Sequence, residues 1–325
     1  MFLRRQITKI MFVSAAGFAL AAAQPVLVHA STWKRISTAT IPPARDYCAM
    51  AYDPVSNKII LFGGLAASGN LNDTWAFDGS NWTQIQTAVA PPVRNGATMG
   101  FDRSTRKLIM FGGFDVDQYL QDTWEFDGAT LTWTEAQMTV PPPKATGAML
   151  FTDPLSGKAM MFGGYNATQV IPVDNTTWRW TGKGWLKLHP ATPPYPKAWG
   201  IAALDPVRKN VVVTGGTGDT IRSDNTWVWD GTNWTMLNPT TQIPAYVGAG
   251  SAFDDATQTV IVFGDNADTW SWTGSDWVQL TPKQSPLARS AIGMAHNPTT
   301  HQVIVFGGEL SSGPLVNGTL QFFGQ

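Results

Sequence analysis

"IMFGGFDVDQYLQDTWEFDGATLTW", residues 109–133, holds an apolar run, a Gly-Gly pair, a polar gap and two tryptophans. Nothing in it closes a core by itself, because an isolated small sheet is marginal in water. The stretch recurs along the chain. The apolar run appears as IILFGG ending at Gly64, LIMFGG at Gly113, AMMFGG at Gly164, VVVTGG at Gly216, VIVFGD at Asp265 and VIVFGG at Gly308. The first tryptophan recurs in DTW at Trp75 and Trp124, TTW at Trp178, NTW at Trp227 and DTW at Trp270, with GTL at Leu320 as a degenerate sixth copy. The second recurs at Trp33, Trp82, Trp133, Trp185, Trp234 and Trp277, in steps of 49, 51, 52, 49 and 43 residues.

One unit reads as four strands, A to D: GATMGFD from Gly96, KLIMFGG, DTWEFDG and TLTWTEA. A continuous apolar run such as strand B suits a strand covered on both faces, and turn residues punctuate the rest. The Gly-Gly pair frees the backbone to turn and lets bulky neighbours approach. Small sheets of this kind stack radially, each tryptophan covering the adjacent sheet and removing on the order of 200 Å² from water. A period near fifty is that of kelch repeats. With six registered copies over residues 31–325, the sequence resembles the kelch-repeat family, in the galactose-oxidase-like group of β-propellers. The resemblance implies an all-β, six-bladed propeller. The ends of the repeat array fit that count. STWKRIS carries the second tryptophan of a unit and nothing earlier, whereas NGTLQFFGQ stops after strand C. Residues 31–38 are therefore expected as strand D of the last blade, which closes the ring and hides two sheet edges.

Composition points the same way. Charged residues make up only 14% of the chain, against 15 Trp and 31 Gly, which favours β-structure with tight turns over helices or disorder. The first thirty residues differ. Arg4, Arg5 and Lys9 precede an apolar run, and Val28 and Ala30 sit as the −3 and −1 residues of an export cleavage site. RRQITK resembles a twin-arginine signal. The expected organisation is a signal peptide over residues 1–30 and one propeller over 31–325, exported to the periplasm or beyond. Without residues 1–30 the chain holds 19 basic and 23 acidic residues, a balance of −4, which argues against a nucleic-acid partner. No later stretch is a membrane span. Cys48 is the single cysteine, so no intrachain disulfide forms and the core must supply the stability. A soluble monomer is expected.

In this connectivity the B–C and D–A loops emerge on one face and the A–B and C–D turns on the other. The turns, such as DPVSNK and DGTNW, are short and repetitive. The B–C loops vary: LAASGNLN, FDVDQYLQ, YNATQVIPVDN, TGDTIRSD and ELSSGPLVN, with almost none in blade 5. Ligand binding is expected on that variable face. Each D–A loop runs through prolines into one position: Arg45 in PPARDYC, Arg94 in PPVRNGA, Lys144 in PPPKATG, Lys197 in PYPKAWG, Tyr246 in IPAYVGA and Arg289 in PLARSAI. The family resemblance implies a binding role here, because binding arginines occupy this kind of position in several members. One expectation is thus a cationic funnel at the channel mouth, with arginine suited to a carboxylate. The alternative is that each braces its own repeat, against Asp73, Asp122, Asp224 or Asp268 of the corner triplets.

Catalytic motifs are sparse. Copper chemistry of the galactose-oxidase kind needs converging histidines, and His189, His296 and His301 fall at a D–A loop and an A–B turn on opposite faces. Cys48, beside Tyr47, reads as a small buried residue. No CxxC, HExxH or calcium loop is present. No metal and no cofactor are expected. Glu309, Asp265, Asp115 and Asp117 are candidate general acids or bases at the rim. Two functions follow. One is a secreted protein that binds a carbohydrate, an acidic small molecule or a protein through the loop face. The other is a periplasmic sugar-acid isomerase or mutarotase, resembling bacterial N-acetylneuraminate epimerase, with Arg45, Arg94 and Arg289 holding the carboxylate.

Overall fold

Each apolar run folds as the second strand of an antiparallel sheet because both of its faces are covered. Residues 59–62, 108–111, 159–162, 211–213, 260–263 and 303–306 are buried without interruption. The computed structural model describes residues 31–218 and 224–324. The expected signal peptide lies outside the described residues, as does part of the fourth B–C loop.

Six four-stranded sheets form the blades. Blade 1 comprises Ala49–Asp53, Lys58–Ala66, Gly69–Phe77 and Trp82–Ile85. Blade 2 comprises Thr98–Asp102, Lys107–Phe111, Thr123–Asp127 and Thr132–Glu135. Blade 3 runs Met149–Thr152, Ala159–Phe162, Thr177–Trp180 and Trp185–Leu188; blade 4 runs Ala198–Asp205, Asn210–Thr217, Thr226–Trp229 and Trp234–Leu237. Blade 5 is Gly250–Asp254, Thr259–Phe263, Thr269–Trp272 and Trp277–Leu280. Blade 6 is assembled from both ends of the array: Gly293–Asn297, Gln302–Phe306 and Thr319–Phe323, completed by Thr32–Ile36. There Trp33 lies opposite Phe322 and Ile36 opposite Thr319, in antiparallel register. The fold is an all-β six-bladed propeller. Among the described residues no helix is long and apolar enough to cross a membrane.

The second tryptophan of each repeat completes the neighbouring one. Trp82 Nε1 donates to Thr319 Oγ1, Trp133 to Thr74, Trp185 to Thr123, Trp234 to Thr177, Trp277 to Thr226 and Trp33 to Thr269, all at 2.9–3.0 Å. Each indole thus reaches into the preceding blade and bonds the threonine of its corner triplet. All six bonds are buried, where an unsatisfied donor costs about 1–3 kcal/mol. The stretch 109–133 is interlocked on both sides: its Trp133 bonds Thr74 of the repeat before it, and its Thr123 accepts from Trp185 of the repeat after it.

On the turn face, Asp53, Asp102, Asp153, Asp205, Asp254 and Asn297 are buried, one per blade. Their side chains accept hydrogen bonds from turn residues, as Asp53 does from the backbone N–H groups of Val55 and Ser56. On the loop side the blades differ: the second strands of blades 1 and 4 run on past the Gly-Gly pair, whereas that of blade 2 stops short of the repeat pattern. Blade 2 begins its first strand at Thr98 rather than Gly96, and its second ends at Phe111 rather than Gly113. Gly96, Gly112 and Gly113 adopt φ of 62°, 62° and 103°, conformations that leave the strand and that side chains resist. At Gly113 a Cβ would also lie 2.7 Å from the carbonyl oxygen of Asn95.

Candidate functional site

Twelve residues after each strand-D tryptophan the chain reaches the corner of the next blade. Counting in this way selects Arg45, Arg94, Ala145, Lys197, Tyr246 and Arg289. Backbone hydrogen bonds confirm the equivalence. The N–H groups of Gly64, Gly113, Gly164, Gly216 and Gly308 donate to the carbonyls of Arg94, Ala145, Lys197, Tyr246 and Arg45. Lys144 is therefore out of register by one residue. Its side chain is exposed, and its carbonyl accepts from Asn166 Nδ2 at 2.9 Å.

Arg45 is fully buried, and its guanidinium grips Asp73 through two bonds of 2.5 and 2.7 Å. It also donates to the carbonyls of Pro43 and Gly63. Asp73 accepts in addition from Trp75 Nε1 at 2.7 Å. Blade 2 repeats the arrangement: Arg94 is fully buried, holds Asp122 at 2.7 and 2.6 Å, and Trp124 Nε1 donates to the same carboxylate. Burial pushes the Asp122 carboxyl up, but the Arg94 hydrogen bond and charge outweigh it and hold it below the ordinary range.

The remaining corners diverge. In blade 3 Ala145 removes the cation, Thr176 replaces the acid, and Trp178 Nε1 donates to the Thr176 hydroxyl at 2.7 Å. In blade 4 Lys197 is fully buried and donates to the Gly215 carbonyl at 3.2 Å; burial lowers its ammonium to about 8 against the opposing charge of Asp224. In blade 5 the Tyr246 hydroxyl donates to Asp268 and accepts from Trp270 Nε1, each at 2.9 Å, and burial pushes the phenol above its ordinary range. In blade 6 Arg289 donates to the carbonyls of Leu287 and Gly307, but Gly318 and Leu320 stand where the other corners carry an acid and a tryptophan. Arg45 and Arg94 are buried and paired with Asp73 and Asp122 of their own repeats, and Ala145 breaks the series of cations.

The channel mouth is built two residues further on, by a feature the repeat reading missed. Tyr47, Gly96, Gly147, Trp199, Gly248 and Ala291 all adopt φ between 47° and 75°. Their backbones bond head to tail around the axis: Gly96 N–H to Tyr47 O, Gly147 to Gly96, Trp199 to Gly147, Gly248 to Trp199, Ala291 to Gly248 and Tyr47 to Ala291, at 2.8–2.9 Å. Only Tyr47 and Trp199 carry large side chains on this ring. A Cβ on Gly147 would lie 2.6 Å from the indole nitrogen of Trp199, so the indole lies across that glycine. From Trp199 a half-exposed aromatic run extends outward over blades 3 and 2. Ring centroids are 5.0 Å apart for Trp199–Tyr165, 6.0 Å for Tyr165–Tyr119 and 4.9 Å for Tyr119–Phe114.

A different chemistry stands where blades 6 and 1 meet. Asp46 is only 3% exposed; its backbone pairs with Leu65, while its Oδ1 has no hydrogen-bond partner. Burial, reinforced by the charge of Glu309, pushes its carboxyl up to about 6. Burial and the same two acids raise the Tyr47 phenol. Glu309 itself is exposed.

A model of the KLHDC2/KLHL20/DRC7 Kelch-repeats domain matches residues 26–181. Together with the six registered blades, this decides the family. The chain is a kelch-repeat propeller. Solved chains in large number, 856, match it, so the fold by itself selects no activity. One of them, described as "Structure of YjhT", superposes with a TM-score of 0.66 at 16% identity, over 87% of this chain and 95% of that one. At that identity the likeness is one of fold. No curated protein matches the chain.

In this kelch propeller Glu309 is the member of the expected acid–base set whose charge bears on the mouth. Asp115 instead accepts from the neighbouring Val116 N–H. Asp46 lies outside the expected set, although its register equivalents, Asn95, Thr146, Ala198, Val247 and Ser290, include no other acid. On the turn face His296 and His301 flank Asp255 at 3.3 and 2.5 Å, while His189 is exposed elsewhere. Cys48 is buried, and its thiol is pushed up to about 12 by burial, which makes it inert.

Proposed function

We propose that this kelch propeller is an exported binding protein that holds a neutral carbohydrate on its loop-bearing face. The observation that carries the reading is the aromatic run from Trp199 through Tyr165 and Tyr119 to Phe114, half-exposed and leading out of the mouth. Rigid aromatic rings offer large contact area at low entropic cost, and their faces suit the C–H surface of a sugar ring. Charge favours a neutral ligand. Arg45 and Arg94 are already neutralised by Asp73 and Asp122, whereas Asp46 and Glu309 add negative charge beside the ring. Export rests on the leader-like residues 1–30. The test is calorimetry against a panel of neutral and acidic oligosaccharides, with Trp199→Ala and Tyr165→Ala. A neutral glycan is bound, and each substitution weakens it at least tenfold, about 1.4 kcal/mol, without loss of fold. Unchanged affinity in both variants overturns the proposal.

A second reading has its own observation. An Asp46 carboxyl pushed up to about 6, with one oxygen unpaired, is placed to exchange a proton near neutral pH. Interconversion of sugar anomers needs a proton delivered to the ring oxygen and one taken from the anomeric hydroxyl. Asp46 and Glu309 supply two carboxyls for that step, with the Tyr47 hydroxyl alongside. The sugar-acid version loses two members of its clamp, since Arg45 and Arg94 are occupied within their own blades. Polarimetry of freshly dissolved sugars decides the point: acceleration by the wild type, abolished in Asp46→Asn, supports an enzyme, and no acceleration eliminates it.

A further inference from the structure

The corner of blade 6 lacks the two side chains around which blades 1 and 2 are organised. In blade 1 the Asp73 carboxylate takes both terminal guanidinium nitrogens of Arg45 and the indole N–H of Trp75. In blade 6 the guanidinium remains. Arg289 is 6% exposed and keeps the two backbone acceptors of its counterparts, Leu287 at 3.1 Å and Gly307 at 3.4 Å. No carboxylate pairs with it among the described residues. A Cβ built on Gly318 would meet only Arg289 Nη1, at 3.7 Å, so the space of an aspartate side chain stands open against a buried cation.

The missing tryptophan leaves room as well. Leu320 lies two residues beyond Gly318, inside the strand Thr319–Phe323 that begins just after that glycine. Beside Leu320 opens a cavity of about 370 Å³, lined also by Trp33, Lys34, Arg35, Ser285 and Pro286. Arg35 sits opposite Leu320 in the strand pair, and its charge adds to that of Arg289, which burial and this repulsion together destabilise. Leu287, whose carbonyl Arg289 bonds, is exposed. A buried guanidinium without an acid and a second cation, Arg35, thus stand near a cavity of ligand size whose lining mixes Lys34, Arg35, Gln284 and Ser285 with Trp33, Pro286 and Leu320.

We propose that the blade 6 corner binds a small aromatic carboxylate, with the carboxylate on Arg289 in the position of the missing aspartate and the ring against Leu320 and Pro286 in the position of the missing tryptophan. The site is separate from the channel mouth and independent of the carbohydrate reading. Bidentate contact with arginine selects the carboxylate, and Arg35 favours its negative charge.

The probe is indole-3-acetate, which carries both missing groups; acetate alone is the comparison. Calorimetry on the wild type is expected to show indole-3-acetate binding, with acetate at least tenfold weaker and both weakened by salt. Gly318→Asp supplies the acid from within. It is expected to raise the melting temperature and to lower affinity for indole-3-acetate at least tenfold. Leu320→Trp fills the cavity and is expected to do the same, while neither variant alters glycan binding at the mouth. Arg289→Met provides a check that does not depend on packing a new group, and it too must abolish binding. Absence of wild-type binding at about 10 mM indole-3-acetate, roughly the weakest affinity of interest, overturns the proposal. So does a folded Gly318→Asp or Arg289→Met variant that binds as the wild type does.

Discussion

Arg94 and Arg289 occupy the same place in two blades and have different lives. Both follow a strand-D tryptophan by twelve residues, both are buried, and both donate to the carbonyl two residues back and to the first glycine after strand B. Arg94 closes on Asp122 and Trp124; Arg289 faces Gly318 and Leu320. Periodicity thus fixes where a backbone goes, while the role of a side chain depends on a partner contributed by a different strand. A once-per-repeat cation is structural where its acid is present and is released where the acid is missing.

The largest test concerns the blade that bears the incomplete corner. Deleting residues 31–38 removes Trp33, which packs against Phe263 and Phe322 and bonds Thr269 of blade 5. The deletion is expected to cost more than about 5 kcal/mol and to lower the melting temperature by more than about 10 °C. Shortening the blade 2 loop between Phe114 and Tyr119 is expected to cost far less. Equal melting temperatures for the two variants would break the closure argument.

Next, the two arginines can be separated directly. Asp122→Ala strands a buried cation and is expected to destabilise by about 3–5 kcal/mol in urea unfolding. Arg289→Met, which keeps the apolar stem, is expected to cost under about 1.5 kcal/mol. If the two losses are alike, Arg289 has a bracing partner after all and the contrast fails.

A smaller effect depends on pH. The folded-state pKa of Asp46 is raised from 3.8 to about 6, so the folded form favours the protonated acid. That contribution to stability is fully present below about 3.8 and is lost as pH rises through about 6. Asp46→Asn removes the charge. It is expected to be more stable than the wild type by on the order of 2 kcal/mol at about pH 7.5, with the gain vanishing near pH 4. Melting curves across that range check the sign; a gain that grows toward acid would contradict it.

The smallest change probes one latch. Thr123→Val leaves Trp185 Nε1 without its acceptor and is expected to cost about 1–2 kcal/mol, against a near-zero effect for an exposed threonine such as Thr130.

The architecture was legible because fifty-residue self-similarity leaves few alternatives, and the two incomplete ends named the blade they share. Register within the corner was also legible: counting twelve from Trp133 gives Ala145, one residue past the charge on Lys144. The glycines at 96, 147 and 248 marked the mouth ring in advance, although Tyr47, Trp199 and Ala291 disguised its periodicity. Partners were not legible. Asp122 is 28 residues from Arg94, yet the acid of blade 5 is 22 residues from Tyr246, because the B–C loops differ in length. The raised pKa of Asp46 arises from burial and from Glu309, at the far end of the chain, and no local pattern carries it.

The ring of six backbone bonds has an electrical consequence. Every N–H···O=C unit in it points the same way around the circle, so the individual dipoles circulate and their vector sum along the axis is close to nil. A helix terminus does the opposite, accumulating roughly half a charge at its end. The six donors are also consumed by one another, which leaves no concave set of free amides to hold an anion. The scaffold at the mouth is therefore electrically silent. Whatever ionic preference it shows is written by the side chains around it, Asp46 and Glu309 above all, and it can be rewritten there without disturbing a single bond of the ring.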